Sequence, residues 1–263
     1  MNLQLNGQHA LVTGSTAGIG YAIAHSLAAE GATVTINGRS EQGVQHALQR
    51  LRSDLPNATL HGIVADAATA AGCAKLIAGG TIDILVNNMG IFEPKPFEDI
   101  PDEDWLRLFE TNVMSGVRLS RAVLPGMKQR NRGRIVFISS ESGICPPAEM
   151  VHYGMTKSAQ LSIARGMAET CAGTGVTVNS VLPGPTLTEG AQAFLEKLAA
   201  EQGQSFDELV QWFFANARPT SLLRRFIDPK EVAAMVAYVC SPLSAATNGA
   251  ALRVDGGVVR SLI

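Results

Sequence analysis

"LVTGSTAGIGYAIAHSLAAEGATV", residues 11–34, is the stretch on which the fold turns. A short apolar run ends at Gly14, glycines recur at 18 and 20, and Ile19, Ile23 and Leu27 then share one helical stripe until Gly31 stops it. A strand that turns through glycines into a helix lets the backbone approach a ligand closely. It also aims unpaired N–H groups and the positive end of the helix dipole at one spot, which suits a pyrophosphate. The spacing is G-x-x-x-G-x-G rather than the commoner G-x-G-x-x-G, and tight-turn glycines alone would also account for it.

Working outward, apolar β-branched runs alternate with segments of helical period. Strands are expected at 10–14, 33–37, 60–65, 82–88, 133–139, 176–182 and 251–255. Seven strands with helices between them predict an α/β fold: a doubly wound, Rossmann-type parallel sheet covered on both faces. No repeat, low-complexity tract or Pro/Gly linker divides the chain, so residues 1–263 read as a single domain. One irregular insert, 186–226, reads as a substrate-binding lid with helices near 189–202 and 206–217.

Composition narrows the partners. At 46% hydrophobic and 17% charged residues, with net charge −2, the 263-residue chain can bury a large core and has no basic footprint for nucleic acid or a membrane surface. No apolar run is long enough to span a bilayer, and the N-terminus lacks the charged and apolar regions of a signal peptide. Cys73, Cys145, Cys171 and Cys240 show no C-x-x-C spacing, so no metal site is expected. Reduced thiols in the cytoplasm are the expectation, with small molecules and further copies of the chain as partners.

Other residues stand out on their own chemistry. In "HYGMTKSAQL", 152–161, Tyr153 and Lys157 are four apart and share a helical face, which permits a common target without establishing one. In a helix expected over 102–120, Asn112 interrupts an apolar stripe of Trp105, Phe109 and Gly116; a buried amide needs partners or costs about 1–3 kcal/mol. Ser139 and Ser140 close the strand "RIVFI", and strand physics does not choose between them.

Taken in order, "TGSTAGIG" (13–20), "NNMG" (87–90), "TNV" (111–113), "SSESG" (139–143), "YGMTK" (153–157) and "LPGPTLT" (182–188) resemble the short-chain dehydrogenase/reductase family over essentially the whole chain. The likeness is greatest to bacterial 3-oxoacyl-carrier-protein reductases. It implies a bound nicotinamide dinucleotide and hydride transfer between that cofactor and a carbonyl or alcohol. By family spacing it selects Ser140 as the catalytic serine, beside Tyr153 as acid–base, Lys157 as tuner of Tyr153 and ligand of the nicotinamide ribose, and Asn112 as holder of a relay water. It further implies cofactor contacts at Gly14, Ser15, Gly18, Ile19 and Gly20, at Asp66 and Asn88 for the adenosine, and at Thr186 for the carboxamide. Met89 departs from the family's usual alanine.

An ordinary phenol, with pKa about 10, is a poor acid–base group at neutral pH. An ammonium about 4 Å away contributes about 4 kcal/mol at an effective dielectric of about 20, on the order of three pKa units. Lys157 is therefore expected to bring Tyr153 toward neutrality.

After the second strand the family's usual acidic position is Gly38, followed by Arg39, which favours NADP(H) because nothing at 38 repels a 2′-phosphate and Arg39 can pair with it. The basic residue often found in the glycine turn of NADP-using relatives is replaced by Ala17, so NAD(H) stays open. Cys145, Pro146, Pro147 and Met150 are expected to form an apolar pocket rim, pointing to a neutral or hydrophobic ketone. The lid aromatics Phe194, Trp212, Phe213 and Phe214 could line that pocket or pack on the body.

The resemblance also implies a homotetramer, and Ala159, Ala164, Gly166 and Ala168 would allow close helix approach. The readings that follow are an NADP(H)-dependent ketone or 3-oxoacyl reductase, an NAD-dependent alcohol or polyol dehydrogenase, and a dinucleotide-binding regulator without turnover. The last is disfavoured because every catalytic position is filled.

Overall fold

The computed structural model describes residues 2–262. Its strands are β1 (His9–Val12), β2 (Thr33–Gly38), β3 (Leu60–Val64), β4 (Ile84–Asn87), β5 (Gly133–Ile138), β6 (Val176–Pro183) and β7 (Ala251–Val254). All seven expected strands are present, in one sheet of order β3-β2-β1-β4-β5-β6-β7. Every pairing is parallel. Parallel neighbours need crossovers, supplied by α1 (Gly18–Ala29), α2 (Glu41–Asp54), α3 (Ala70–Ile77), α4 (Asp102–Phe109), α5 (Ser115–Gln129), α6 (Val151–Thr170) and α9 (Pro229–Cys240). The lid adds α7 (Glu189–Glu201) and α8 (Phe206–Trp212).

Period-two alternation divides the core. Ala10 and Val12, Ile84 and Val86, and Val136 and Ile138 face one apolar layer, which includes Ile23, Leu27 and Val236 of the helices. Leu11, Leu85, Ile135 and Phe137 face the other, with Leu76, Leu119 and Ala164. The central strands are buried on both faces, which is why they read as mostly apolar runs, whereas the edge strands β3 and β7 are partly exposed. Chain order reverses between β1 and β4, so the carboxyl ends of these strands open a crevice for a ligand.

Three helical expectations change. The segment 102–120 is not one regular helix: α4 ends at Phe109 and a π-turn, Glu110–Met114, joins it to α5. The wider turn shifts the buried stripe to Leu108, Asn112, Val113 and Gly116, leaving Phe109 37% exposed. In α6, Gln160, Ala164 and Ala168 fall on the inward stripe at four-residue spacing, so Ala164 and Ala168 pack in this chain's own core rather than offering a contact face. Gly166 is exposed and Ala159 half-buried. In the lid, α8 runs into a second π-turn, Phe213–Ala217. The lid has a small core of Leu195, Ala199 and Leu209, packed by Phe206 and Phe226.

Candidate active site

At the β1–β4 switch point the glycine turn is built by close approach. Gly14 and Gly18 take φ of 58° and 57°, in the left-handed region. A Cβ at Gly20 would stand 2.4 Å from the Gly14 carbonyl oxygen and 2.5 Å from Asn88 Nδ2, so only glycine lets α1 meet the turn here. Asn88 pins that turn to the end of β4: Nδ2 donates to the Thr13 and Gly14 carbonyls, both at 3.0 Å. Met89, beside it, brings its sulfur to 3.3 Å of the Gly14 Cβ position.

The Ser15 hydroxyl donates to Val12 O at 2.7 Å and accepts from the Asn37 amide at 2.9 Å, so this side chain fixes the turn from within. Ile19 packs against the core. The N-cap residue of α1, Ala17, makes no side-chain cap. Instead the Gly18 N–H donates to Glu189 Oε2 at 3.1 Å, and Arg50 donates to the other carboxylate oxygen at 3.2 Å. An anionic group thus sits on one of the N–H groups expected to receive a pyrophosphate, and the site fits that chemistry.

Along the same edge, Gly38 cannot carry the acidic side chain of the family pattern. A Cβ there would lie 2.5 Å from Thr16 Cγ2 and 3.1 Å from Val44 Cγ2. Arg39 follows, exposed, just before Ser40, the N-cap of α2. Asp66 is exposed beyond β3, with Oδ1 accepting from the Ala68 amide at 3.0 Å. Thr186, past β6, donates to the Gly184 carbonyl at 2.9 Å and pairs with Ile227 at the base of the lid. The fold therefore places these residues at the carboxyl ends of their strands, on the side where the glycine turn opens.

The four catalytic candidates converge from α6, the π-turn and the end of β5. The Asn112 amide is satisfied: Oδ1 accepts from Ile91 N at 2.8 Å, and Nδ2 donates to Ile91 O at 2.9 Å and Thr156 Oγ1 at 3.0 Å. Ser139 spends its proton on the Lys157 carbonyl at 2.8 Å, which leaves Ser140 as the serine beside the phenol. Lys157, 4% exposed, donates to the Ile138 carbonyl at 2.9 Å and to Gln160 Oε1 at 3.3 Å, and its Nζ lies 5.6 Å from the Tyr153 ring centre.

This geometry corrects one expectation. The lysine does not decide the direction in which the phenol moves: burial, then the Glu141 carboxylate, push the Tyr153 pKa well above its usual value, against weaker opposing effects of Ser140 and Arg218. Burial instead brings Lys157 down to about 8, with Glu141 opposing. The half-buried Tyr153 gains no hydrogen bond from the ammonium, which is engaged by the Ile138 carbonyl and Gln160. The main-chain carbonyl of Asn112 accepts from Gln160 Nε2 at 2.6 Å, and Gln160 Oε1 accepts from Lys157, so a side-chain amide three residues along the helix connects the two.

The rim is not apolar either. Glu141 is 6% exposed, and the Ser140 hydroxyl donates to its Oε2. Arg218 of the lid ion-pairs with Glu141 at 3.4 Å and with Glu149 at 3.2 Å. Among the lid aromatics, Phe213 and Phe214 pack on Phe226, all centroids 5.1 Å apart, while Phe194 and Trp212 are exposed. Phe92, in the loop after β4, faces the Tyr153 ring edge-on at 6.0 Å. Glu141, Arg218, Phe92 and Gln160 are absent from the sequence reading. The one legible signal was Glu141, a charge inside "SSESG" next to the apolar strand.

Residues 8–199 match the model of the family described as short chain dehydrogenase. The chain is 51% identical over 263 residues to the uncharacterized oxidoreductase YvaG of Bacillus subtilis, covering all of both chains. It is 35% identical over 256 residues to the 3-oxoacyl-acyl-carrier-protein reductase FabG of Vibrio cholerae, covering 97% of this chain and 99% of that one. Among solved structures, L-sorbose reductase from Gluconobacter frateurii, complexed with NADPH and L-sorbose, superposes with a TM-score of 0.93 at 29% identity over the full length of both. With the glycine turn, Ser140, Tyr153 and Lys157 gathered at the switch point of a seven-stranded parallel sheet, the chain belongs to the short-chain dehydrogenase family of oxidoreductases.

Proposed function

We propose that this protein is an NADP(H)-dependent reductase of a ketone or 3-oxoacyl thioester. The observation that carries the reading is the grouping of the Tyr153 phenol with the Ser140 hydroxyl and with Lys157, whose Nζ lies 5.6 Å from the ring centre. The phenol holds the proton that a carbonyl oxygen needs, and a cation beside it favours its release. Gly14, Gly18, Ile19 and Gly20 would hold the pyrophosphate on a turn that Ser15 shapes from within, Asp66 and Asn88 the adenosine, and Thr186 with Lys157 the nicotinamide end. When bound, the nicotinamide supplies the hydride. Tyr153 gives its proton to the carbonyl oxygen, Ser140 polarises that oxygen, and Lys157 holds positive charge nearby to offset the phenolate that forms. Asn112 keeps the loop after β4 and α6 in register through Ile91 and Thr156.

NADP(H) over NAD(H) rests on the absence of room for a carboxylate at Gly38 and on the exposed Arg39; the NADPH in the sorbose reductase complex is in keeping with it. The single domain 1–263 would use 186–226 as its substrate lid and assemble as a homotetramer in the cytoplasm; no helix among the described residues is long and apolar enough to cross a membrane.

A second reading, an alcohol or polyol dehydrogenase, draws on the charged rim of Glu141, Glu149 and Arg218, which suits a polar substrate better than a hydrophobic one. A panel of ketones, keto sugars and 3-oxoacyl thioesters with NADPH or NADH, and the matching alcohols with the oxidised cofactors, separates the two. Tyr153→Phe is expected to lose about 10²- to 10⁴-fold in turnover; undiminished turnover would sink the assignment.

A further inference from the structure

Glu141 has no part in the reaction just described, yet it is a buried carboxylate touching a catalytic side chain. Its Oε2 accepts the Ser140 proton, while Ser140 Oγ accepts from the Ser142 amide at 3.1 Å. A hydroxyl has one proton. While Glu141 holds it, Ser140 cannot donate to a substrate oxygen. The other carboxylate oxygen is held by Arg218, 77 residues away in sequence and carried at the end of the lid's π-turn. Arg218 is itself only 14% exposed at the side chain and is shared with Glu149.

We propose that Glu141 is a positioning residue acting on Ser140 and Tyr153, and that Arg218 is its counterweight, delivered by the lid. The inference rests on Tyr153 being the acid–base group. Every element packed around the phenol contributes to the balance. Lys157 comes from its own helix, Glu141 from the turn after β5, and Arg218, steadied by Glu149, from the lid. The loop after β4 presents the uncharged ring of Phe92. Glu141 and Arg218, in contact at 3.4 Å, thus act on the phenol with opposite sign, and Arg218 is carried by the lid. With Arg218 docked, the carboxylate's charge is divided between guanidinium and hydroxyl, and its claim on the Ser140 proton weakens. With Arg218 withdrawn, Glu141 keeps both the Ser140 proton and the phenol's proton in place, and alcohol oxidation, which needs the phenolate, is suppressed. Lid closure would thereby be coupled to the competence of the acid–base pair.

The test is the pH profile of kcat/KM for alcohol oxidation by the full-length protein with its dinucleotide. Oxidation rises with pH as the phenol ionises. Glu141→Gln removes a neighbouring negative charge and is expected to move that limb about one unit to lower pH. Arg218→Gln moves it in the opposite direction, and Arg218→Lys, which keeps the charge, restores the original position. A purely structural role predicts lower rates with an unmoved limb, and that outcome would overturn the proposal, as would shifts of the same sign. The ranking is also read without turnover from the ultraviolet phenolate absorbance of Tyr153, with Tyr153→Phe subtracted. If turnover survives Tyr153→Phe, the reductase mechanism fails, whereas the absorbance ranking still decides the Glu141–Arg218 pair.

Discussion

The amide of Gly18 and the carboxylate of Glu189, 171 residues apart, meet at 3.1 Å, so the first residue of the lid helix α7 caps the helix that follows the glycine turn. A dinucleotide pyrophosphate would compete with that carboxylate for the same N–H group. Glu189→Gln is expected to tighten dinucleotide binding about 2- to 5-fold, the worth of one charge at a helix N-terminus. Titration calorimetry with NADPH measures it, and weaker binding in the variant would show that Glu189 assists the cofactor rather than competing with it.

Arg39 and Gly38 divide cofactor choice into an attraction and an exclusion. Arg39→Ala should weaken NADPH about 10-fold, one charge-assisted hydrogen bond, and leave NADH unchanged. Gly38→Asp should not convert the enzyme cleanly to NADH, because its Cβ meets Thr16 and Val44. A stability loss of about 1–3 kcal/mol from overpacking is expected in urea melts.

His152 is fully buried against Trp105, ring centroids 5.8 Å apart, and neither ring nitrogen has a hydrogen-bond partner. Burial lowers its pKa. A histidine depressed in the folded state binds fewer protons there than in the unfolded chain, so stability is constant above the unfolded value of about 6.5 and falls as the pH drops below it. Thermal melts from pH 8 to 5 should show that fall, and His152→Phe should flatten it.

Gln160 ties Lys157 to the main-chain carbonyl of Asn112. Gln160→Met, close in volume, removes the side-chain donor to that carbonyl and one acceptor of the buried Lys157, and should cost about 1–3 kcal/mol. Denaturant unfolding gives the number; a cost near zero would mean that water replaces the amide there.

Much of the molecule is legible in the chain because its determinants are local. Apolar runs of four to eight residues bounded by turns marked all seven strands, most plainly the central ones, since a parallel strand inside the sheet is buried on both faces. The glycines at 14, 18 and 20 marked the turn, since close backbone approach is forbidden to other residues. Tyr153 and Lys157 stood one helical turn apart, so their shared face followed from spacing.

Other features depended on segments that meet only in three dimensions. That Ser139 is tied to the main chain was decided by the Lys157 carbonyl beside it, and that Ser140 is tied to a carboxylate by Glu141. Where the 102–120 stripe points was decided by a π-turn that spacing rules for a regular helix do not anticipate. The direction in which the Tyr153 phenol is pushed was decided by burial and by Glu141, against Arg218, and not by the nearby lysine. Spacing along the chain determines which side chains share a face, and the sequence by itself settled that much. Protonation and hydrogen-bond direction depend on desolvation and on charges delivered from distant segments, and these exist only once the lid and the sheet are packed together.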